Sequence, residues 1–126
     1  MRILLIEDEA SLADVLARNL RARGHAAVIT ASAEAALSEI DAAFPDALIL
    51  DVNLPDLTGW DVLRRLTAAQ RAVVRVIVIS AAPISQKRIE EFSPDIALQK
   101  PFPIDAILRA LTPAPVRAAS TEEEPL

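Results

Sequence analysis

A doubly wound α/β domain is the fold class this sequence predicts, and three observations predict it. Short all-aliphatic runs recur along the chain, at Ile3–Ile6, Ala47–Leu50 and Val76–Ile79. Runs of four bounded by turn residues read as strands buried on both faces, as in a parallel sheet. Segments with helical apolar spacing separate them, and strand–helix alternation is the signature of a parallel sheet covered on both sides. Each run also leads into a polar side chain: Glu7 and Asp8, Asp51, and Ser80, with Lys100 after a weaker run at Ile96–Gln99. In open parallel sheets the ligand site lies beyond the carboxyl ends of the strands.

The elements follow in order. After the first strand, Leu12, Val15, Leu16 and Leu20 repeat at helical spacing, and Gly24 stands where a C-terminal cap belongs. A second strand is expected at Ala26–Ile29. Ser32 is placed to cap the next helix, whose apolar face is Ala36, Leu37, Ile40 and Phe44 before Pro45 stops it. The third strand ends at Asp51. Residues 53–59 form a loop by their Pro, Asp and Gly content, and one helix is expected over 60–69. The fourth strand ends at Ser80, followed by a short helix over 85–92 and a fifth strand that Gln99 interrupts. Ile104, Ile107, Leu108 and Leu111 make a fifth and last helix, which Pro113 and Pro115 close. Residues 113–126, with few apolar anchors and a Glu122-Glu123-Glu124 run, read as a disordered tail or a linker. The expected division is therefore a folded domain over 1–112 and a tail over 113–126.

Composition narrows the function. The 126 residues are 52% hydrophobic, enough for one domain with a real core built from Leu, Ile, Val and Ala. The apolar runs are too short to span a bilayer or to serve as a secretory leader, and a cytoplasmic location is expected. The absence of Cys excludes disulfides and thiolate metal sites. A net charge of -5 argues against nucleic acid as a direct ligand.

Three carboxylates, a hydroxyl and an ammonium at one sheet edge suit a hard divalent cation and a phosphoryl group. Oxygen ligands favour Mg²⁺, with Asp8 and Asp51 as direct ligands and Glu7 acting through a water. Without a cation, mutual repulsion would raise at least one carboxyl pKa. Lys100 supplies a mobile ammonium for a phosphoryl oxygen, and Ser80 a hydroxyl donor. Asp51, alone at the end of the central strand, is the candidate nucleophile, because a carboxylate is already ionised at neutral pH. Asp51→Asn is expected to abolish phosphorylation and spare the fold, the sheet edge being taken to face solvent. Each feature has a plainer reading: Glu7, Asp8 and Glu9 as the acidic start of a helix, Asp51 as a turn-former, Lys100-Pro101 as a strand-to-helix turn. The combination carries the specificity. His25 reads as a solvated bystander and Trp60 as a packing residue.

Ile3-Leu4-Leu5-Ile6-Glu7-Asp8-Glu9, Asp51-Val52-Asn53-Leu54-Pro55 with Gly59, Ser80-Ala81-Ala82 and Lys100-Pro101-Phe102 resemble the response-regulator receiver domain of two-component signalling. The resemblance covers about residues 1–112. It implies a flavodoxin-like five-stranded sheet of order 2-1-3-4-5 with five helices. It also implies phosphorylation of Asp51 by a histidine kinase or a histidine phosphotransfer protein. Glu7, Asp8, Asp51 and the Asn53 carbonyl would surround Mg²⁺, Ser80 and Lys100 would contact the phosphate, and the Lys100-Pro101 bond would be cis. Two departures stand out. Ala97 occupies the place, three residues before the lysine, of a common aromatic whose rotamer follows phosphorylation. The Ser80–Lys100 stretch is also about two residues shorter than usual. Output is expected through protein contact at the face of the fourth helix, fifth strand and fifth helix, with Ile84, Ile89 and Ala97 on it, and a monomer or weak dimer is expected. The alternatives are a phosphorelay intermediate or phosphate sink, and a degenerate receiver serving as a binding module. The chain reads as a stand-alone receiver or one excised from a longer regulator, without turnover of a separate substrate. A phosphatase forming an aspartyl phosphate would want an Asp where Asn53 stands.

Overall fold

The computed structural model describes residues 1–111. Five strands, β1 (Arg2–Ile6), β2 (Ala26–Thr30), β3 (Ala47–Asp51), β4 (Arg75–Ser80) and β5 (Ile96–Gln99), form one sheet of order β2-β1-β3-β4-β5. All four pairings are parallel, with Ile6 opposite Leu50 and Asp51 opposite Ile79. Helices α1 (Ala10–Ala22), α2 (Ala33–Ala42), α3 (Gly59–Arg64), α4 (Ala68–Val73), α5 (Gln86–Phe92) and α6 (Ile104–Leu111) connect and follow them. Among the described residues no helix is long and apolar enough to cross a membrane. The expected tail over 113–126 lies outside the described residues.

Strand side chains alternate between two cores, which explains why the strands are apolar throughout. Ile3, Leu5, Ile49 and Ile77 pack on one face with Leu16 and Leu20 of α1 and Ile107 and Leu111 of α6. Leu4, Ile6, Leu48, Leu50, Val76 and Val78 pack on the other with Ile40 of α2 and Trp60, Val62 and Leu63 of α3. Each such side chain contributes about 1.5–3 kcal/mol when fully buried. β5 is one of the two edge strands and is half-buried, in keeping with the polar Gln99.

The caps follow from local sequence. Gly24 takes a φ of 87°, and the amides of Gly24 and His25 close α1 onto the carbonyls of Arg21 and Leu20. Ser32 Oγ accepts from Ala35 N at 3.1 Å to start α2. Among the described residues six helices stand where five were expected. The segment expected as one helix over 60–69 breaks at Arg65, because Thr67 and Gln70 form a capping box that starts α4. The fold class is unchanged. The Lys100-Pro101 peptide is cis.

Gly59 opens α3 directly against the end of β3. A Cβ there would lie 2.5 Å from the Asp51 carbonyl oxygen and 3.0 Å from Leu50 Cδ1. The oxygen belongs to a buried backbone and cannot yield. Gly59→Ala is therefore expected to cost at least ~1–3 kcal/mol in urea unfolding. An unchanged unfolding midpoint would show that α3 can slide away from β3.

Candidate functional site

The carboxyl ends of β1 and β3, the β3–α3 loop and the β5–α6 turn meet at one edge of the sheet. Glu7 and Asp8 follow β1 directly, and Asp51 is the last residue of β3. Since β1 and β3 are adjacent and in register, their ends converge. One carboxylate oxygen each from Glu7, Asp8 and Asp51 lies within 4.8 Å of the others. Lys100 Nζ reaches into this group, 2.8 Å from Asp51 Oδ2, 3.2 Å from Glu7 Oε1 and 3.8 Å from Glu9 Oε1.

Burial differs sharply within the group. Glu7 is 1% exposed and Asp51 3%, whereas Asp8 is exposed. The sheet edge expected to face solvent thus encloses Asp51, because α3 starts against its backbone and Lys100 lies over its side chain. Asp51 Oδ1 accepts from Asn53 N at 2.9 Å, which folds the loop back over the strand end. Glu7 Oε2 accepts from Glu9 N at 3.0 Å. Glu7 Oε1 is buried without a well-directed hydrogen bond, despite the nearby ammonium.

The electrostatics follow. Burial, and then repulsion from Asp51, push the Glu7 carboxyl up to about 7, against the opposing pull of the Glu9 amide and Lys100. The two carboxylates raise the Lys100 ammonium above its ordinary value, although burial acts against them. The group has one more buried anion than its cation can neutralise. Its ligand atoms are all oxygens and one buried oxygen, Glu7 Oε1, lacks a well-directed hydrogen bond, which fits a hard divalent cation.

This imbalance makes a stability prediction for the metal-free protein. A Glu7 pKa raised from 4.5 to about 7 stabilises the fold fully below 4.5, and that contribution is lost as pH rises to about 7. The loss is on the order of 3 kcal/mol. His25 has the opposite sign: its lowered pKa stabilises above its ordinary 6.5, and the contribution is lost as pH falls. Glu7→Gln leaves the His25 contribution in place, so the difference between the two proteins isolates Glu7. In chelator, the variant's melting temperature is expected to vary less between pH 4.5 and 7 and to exceed the parent's at pH 8. Parallel profiles would show that Glu7 stays ionised throughout.

The remaining sequence-predicted residues are placed as follows. Ser80 is buried at the end of β4, and its hydroxyl accepts from Ala82 N at 3.1 Å. Asn53 is exposed in the loop and pairs with Thr58 in an isolated antiparallel bridge. His25 Nδ1 lies 3.1 Å from the chain's N-terminal amine, away from the acidic group. Trp60 is buried and stacks on Phe92 with ring centroids 4.9 Å apart, as a packing residue should. Ala97 is half-buried in β5 opposite Val78, and Ile84 is half-buried, packed in part against the core. Sequence reasoning placed Asp56 in a loop and gave it no task. It caps α2 from the neighbouring β3–α3 loop, accepting from Ala33 N and Glu34 N at 2.9 Å each. No local pattern links residues so far apart.

A five-stranded 2-1-3-4-5 sheet with an acidic group and a lysine at its carboxyl edge defines a class of signalling module. The chain belongs to the response regulator receiver domain family, whose model matches residues 3–112. It is 38% identical over 102 residues to the sensory transduction protein RegX3 of Mycobacterium tuberculosis, covering 79% of this chain and 44% of that protein. The chain thus spans about half the length of the curated relatives it matches. The receiver domain of Francisella response regulator 1452 superposes with a TM-score of 0.76 at 26% identity, covering 86% of this chain and 92% of that one. A Burkholderia pseudomallei response regulator with a phosphorylated aspartic acid, calcium ion and citrate shares the fold, with a TM-score of 0.78 at 24% identity and coverage of 89% and 66%.

Proposed function

We propose that this domain is a phosphoacceptor: Asp51 takes a phosphoryl group from the phosphohistidine of a histidine kinase or phosphotransfer protein, with Mg²⁺ bound by Asp8, Asp51 and the Asn53 carbonyl and steadied by Glu7. The observation that carries this reading is Asp51 itself, at the end of the central strand between two carboxylates and an ammonium. The phosphorylated aspartate and calcium of the Burkholderia relative support it.

The chemistry assigns each residue a task. A carboxylate oxygen of Asp51 forms the bond to phosphorus as the bond from phosphorus to the donor imidazole nitrogen breaks. The electron pair leaves with that nitrogen, and a proton already carried by the other nitrogen of the donor ring makes the departing group neutral imidazole. Asp51 needs no general base, because it holds no proton to lose. The transferred group spreads charge over its oxygens, and positioning and neutralisation dominate such reactions. Lys100 Nζ, now on Asp51 Oδ2, is within reach to pair with a phosphoryl oxygen in its place. The Ser80 oxygen accepts from Ala82 N, which leaves its proton free to donate to the same group. Bound Mg²⁺ supplies the positive charge that three carboxylates and one ammonium lack.

Output would pass through protein contact at the α5–β5–α6 face. α5, like α4, has no fully buried residue, so it is one of the two helices held most lightly against the body and is suited to shift. Ala97 cannot provide an aromatic relay from Ser80 to that face, and this favours a second reading, in which the domain passes phosphoryl groups on as a relay or sink. The relatives' greater length admits an attached output domain as well.

Intact-protein mass after incubation with Mg²⁺ and acetyl phosphate tests the acceptor chemistry. A gain of one phosphoryl group that requires Mg²⁺ is expected. No gain, either from acetyl phosphate or from a phosphorylated histidine donor, would reduce the domain to a binding module.

A further inference from the structure

The β3–α3 loop is anchored at its tip to the start of α2, the helix that packs beside α3 on the same face of the sheet. Asp56 accepts from Ala33 N through Oδ1 and from Glu34 N through Oδ2, each at 2.9 Å. These are the first two amides of α2, which have no acceptor within the helix. Ser32 Oγ takes the third, Ala35 N. Asp56 is solvent-exposed, yet the two amides hold its carboxyl below the usual carboxylate range. The ionised, two-pronged contact therefore persists at neutral pH.

The base of the same loop carries the site. Gly59 N donates to Val52 O at 2.8 Å, Asn53 pairs with Thr58, and Asn53 N donates to Asp51 Oδ1. Asn53 is thus held on one side by Asp51 and on the other by a short loop whose far end is fixed at Asp56. Releasing the tip would leave the Asn53 backbone held by these base contacts alone.

We infer that Asp56 is a positioning residue: by fastening the β3–α3 loop to the N-terminus of α2, it sets where the Asn53 backbone stands beside Asp51. The inference extends the proposed function, in which the Asn53 carbonyl is a metal ligand. The plainer reading is that Asp56 is a helix cap for α2 and nothing more. Ser32 separates the two, because it caps the same helix end without touching the loop.

The test compares Asp56→Ala with Ser32→Ala in three measurements: thermal unfolding, amide hydrogen exchange at Asn53 and Gly59, and calorimetric titration with MgCl₂. Both variants are expected to melt at lower temperature than the parent. Asp56→Ala alone is expected to exchange faster at Asn53 and Gly59 and to bind Mg²⁺ about tenfold more weakly, as loss of a supporting partner does at metal sites. Asp56→Asn keeps one carbonyl acceptor and is expected to fall between parent and Asp56→Ala. If Asp56→Ala matches Ser32→Ala in exchange and Mg²⁺ affinity, Asp56 is a helix cap and the inference fails. If the parent binds no Mg²⁺, the proposed function fails instead, and the exchange rates still decide whether Asp56 fixes the loop.

Discussion

Asp51→Asn is expected to gain no phosphoryl mass under conditions in which the parent gains one, and to unfold within about 1 kcal/mol of it. The loss of reaction is complete, because a neutral amide has no anionic oxygen to offer phosphorus. The small change in stability is less obvious, since Asp51 is 3% exposed and paired with Lys100. Breaking a buried ion pair usually costs several kcal/mol, because one charge is left alone. Here Lys100 is not left alone: Glu7 Oε1 lies 3.2 Å away. Removing the Asp51 charge also removes a repulsion that raises the Glu7 carboxyl, so a gain offsets the loss. Asparagine keeps an oxygen to accept from Asn53 N. Phosphorylation of the variant would move the acceptor elsewhere. Unfolding several kcal/mol easier than the parent would show that the Lys100–Asp51 pair outweighs the repulsion it accompanies.

The strands were legible in the sequence because parallel strands are buried on both faces, so Ile3–Ile6 and Val76–Ile79 admit no other half-exposed pattern. The acidic group was legible because strand ends in such a sheet share one edge, which brings Glu7 and Asp8 to Asp51 and Lys100. The break between α3 and α4 was missed because Leu66 continues the apolar spacing, while the Thr67–Gln70 box that interrupts it weighs less than the periodicity. Burial of Asp51 was missed for a different reason. A strand end looks solvent-facing until the next helix is placed, and Gly59 is what lets that helix come so close. The role of Asp56 depends on where α2 begins relative to the β3–α3 loop, which no spacing encodes.

The same charge balance makes Lys100 the residue whose loss should most damage the metal-free fold. Its side chain is 21% exposed and stands between Glu7 and Asp51, and alanine would leave two buried carboxylates facing each other. Removing one partner of a buried ion pair costs roughly 3–5 kcal/mol. The group has one way to relax: Glu7 takes up a proton, which its carboxyl at about 7 already favours. The deficit of Lys100→Ala should therefore be largest near pH 8 and shrink toward pH 5.5, where the remaining pair carries one charge. Added Mg²⁺ should recover more stability in the variant than in the parent, because no ammonium then competes for the same oxygens. Some phosphoryl uptake should survive, since Asp51 keeps its nucleophile. The structural response at α5 should not, because the ammonium that would move from Asp51 to the phosphoryl group is gone. Thermal unfolding of both proteins in chelator and in MgCl₂, at pH 5.5 and pH 8, resolves these outcomes. Equal melting temperatures in chelator at pH 8 would mean that water reaches Glu7 and Asp51 well enough to replace Lys100, and the site would then be a wet acidic pocket rather than a compensated buried cluster.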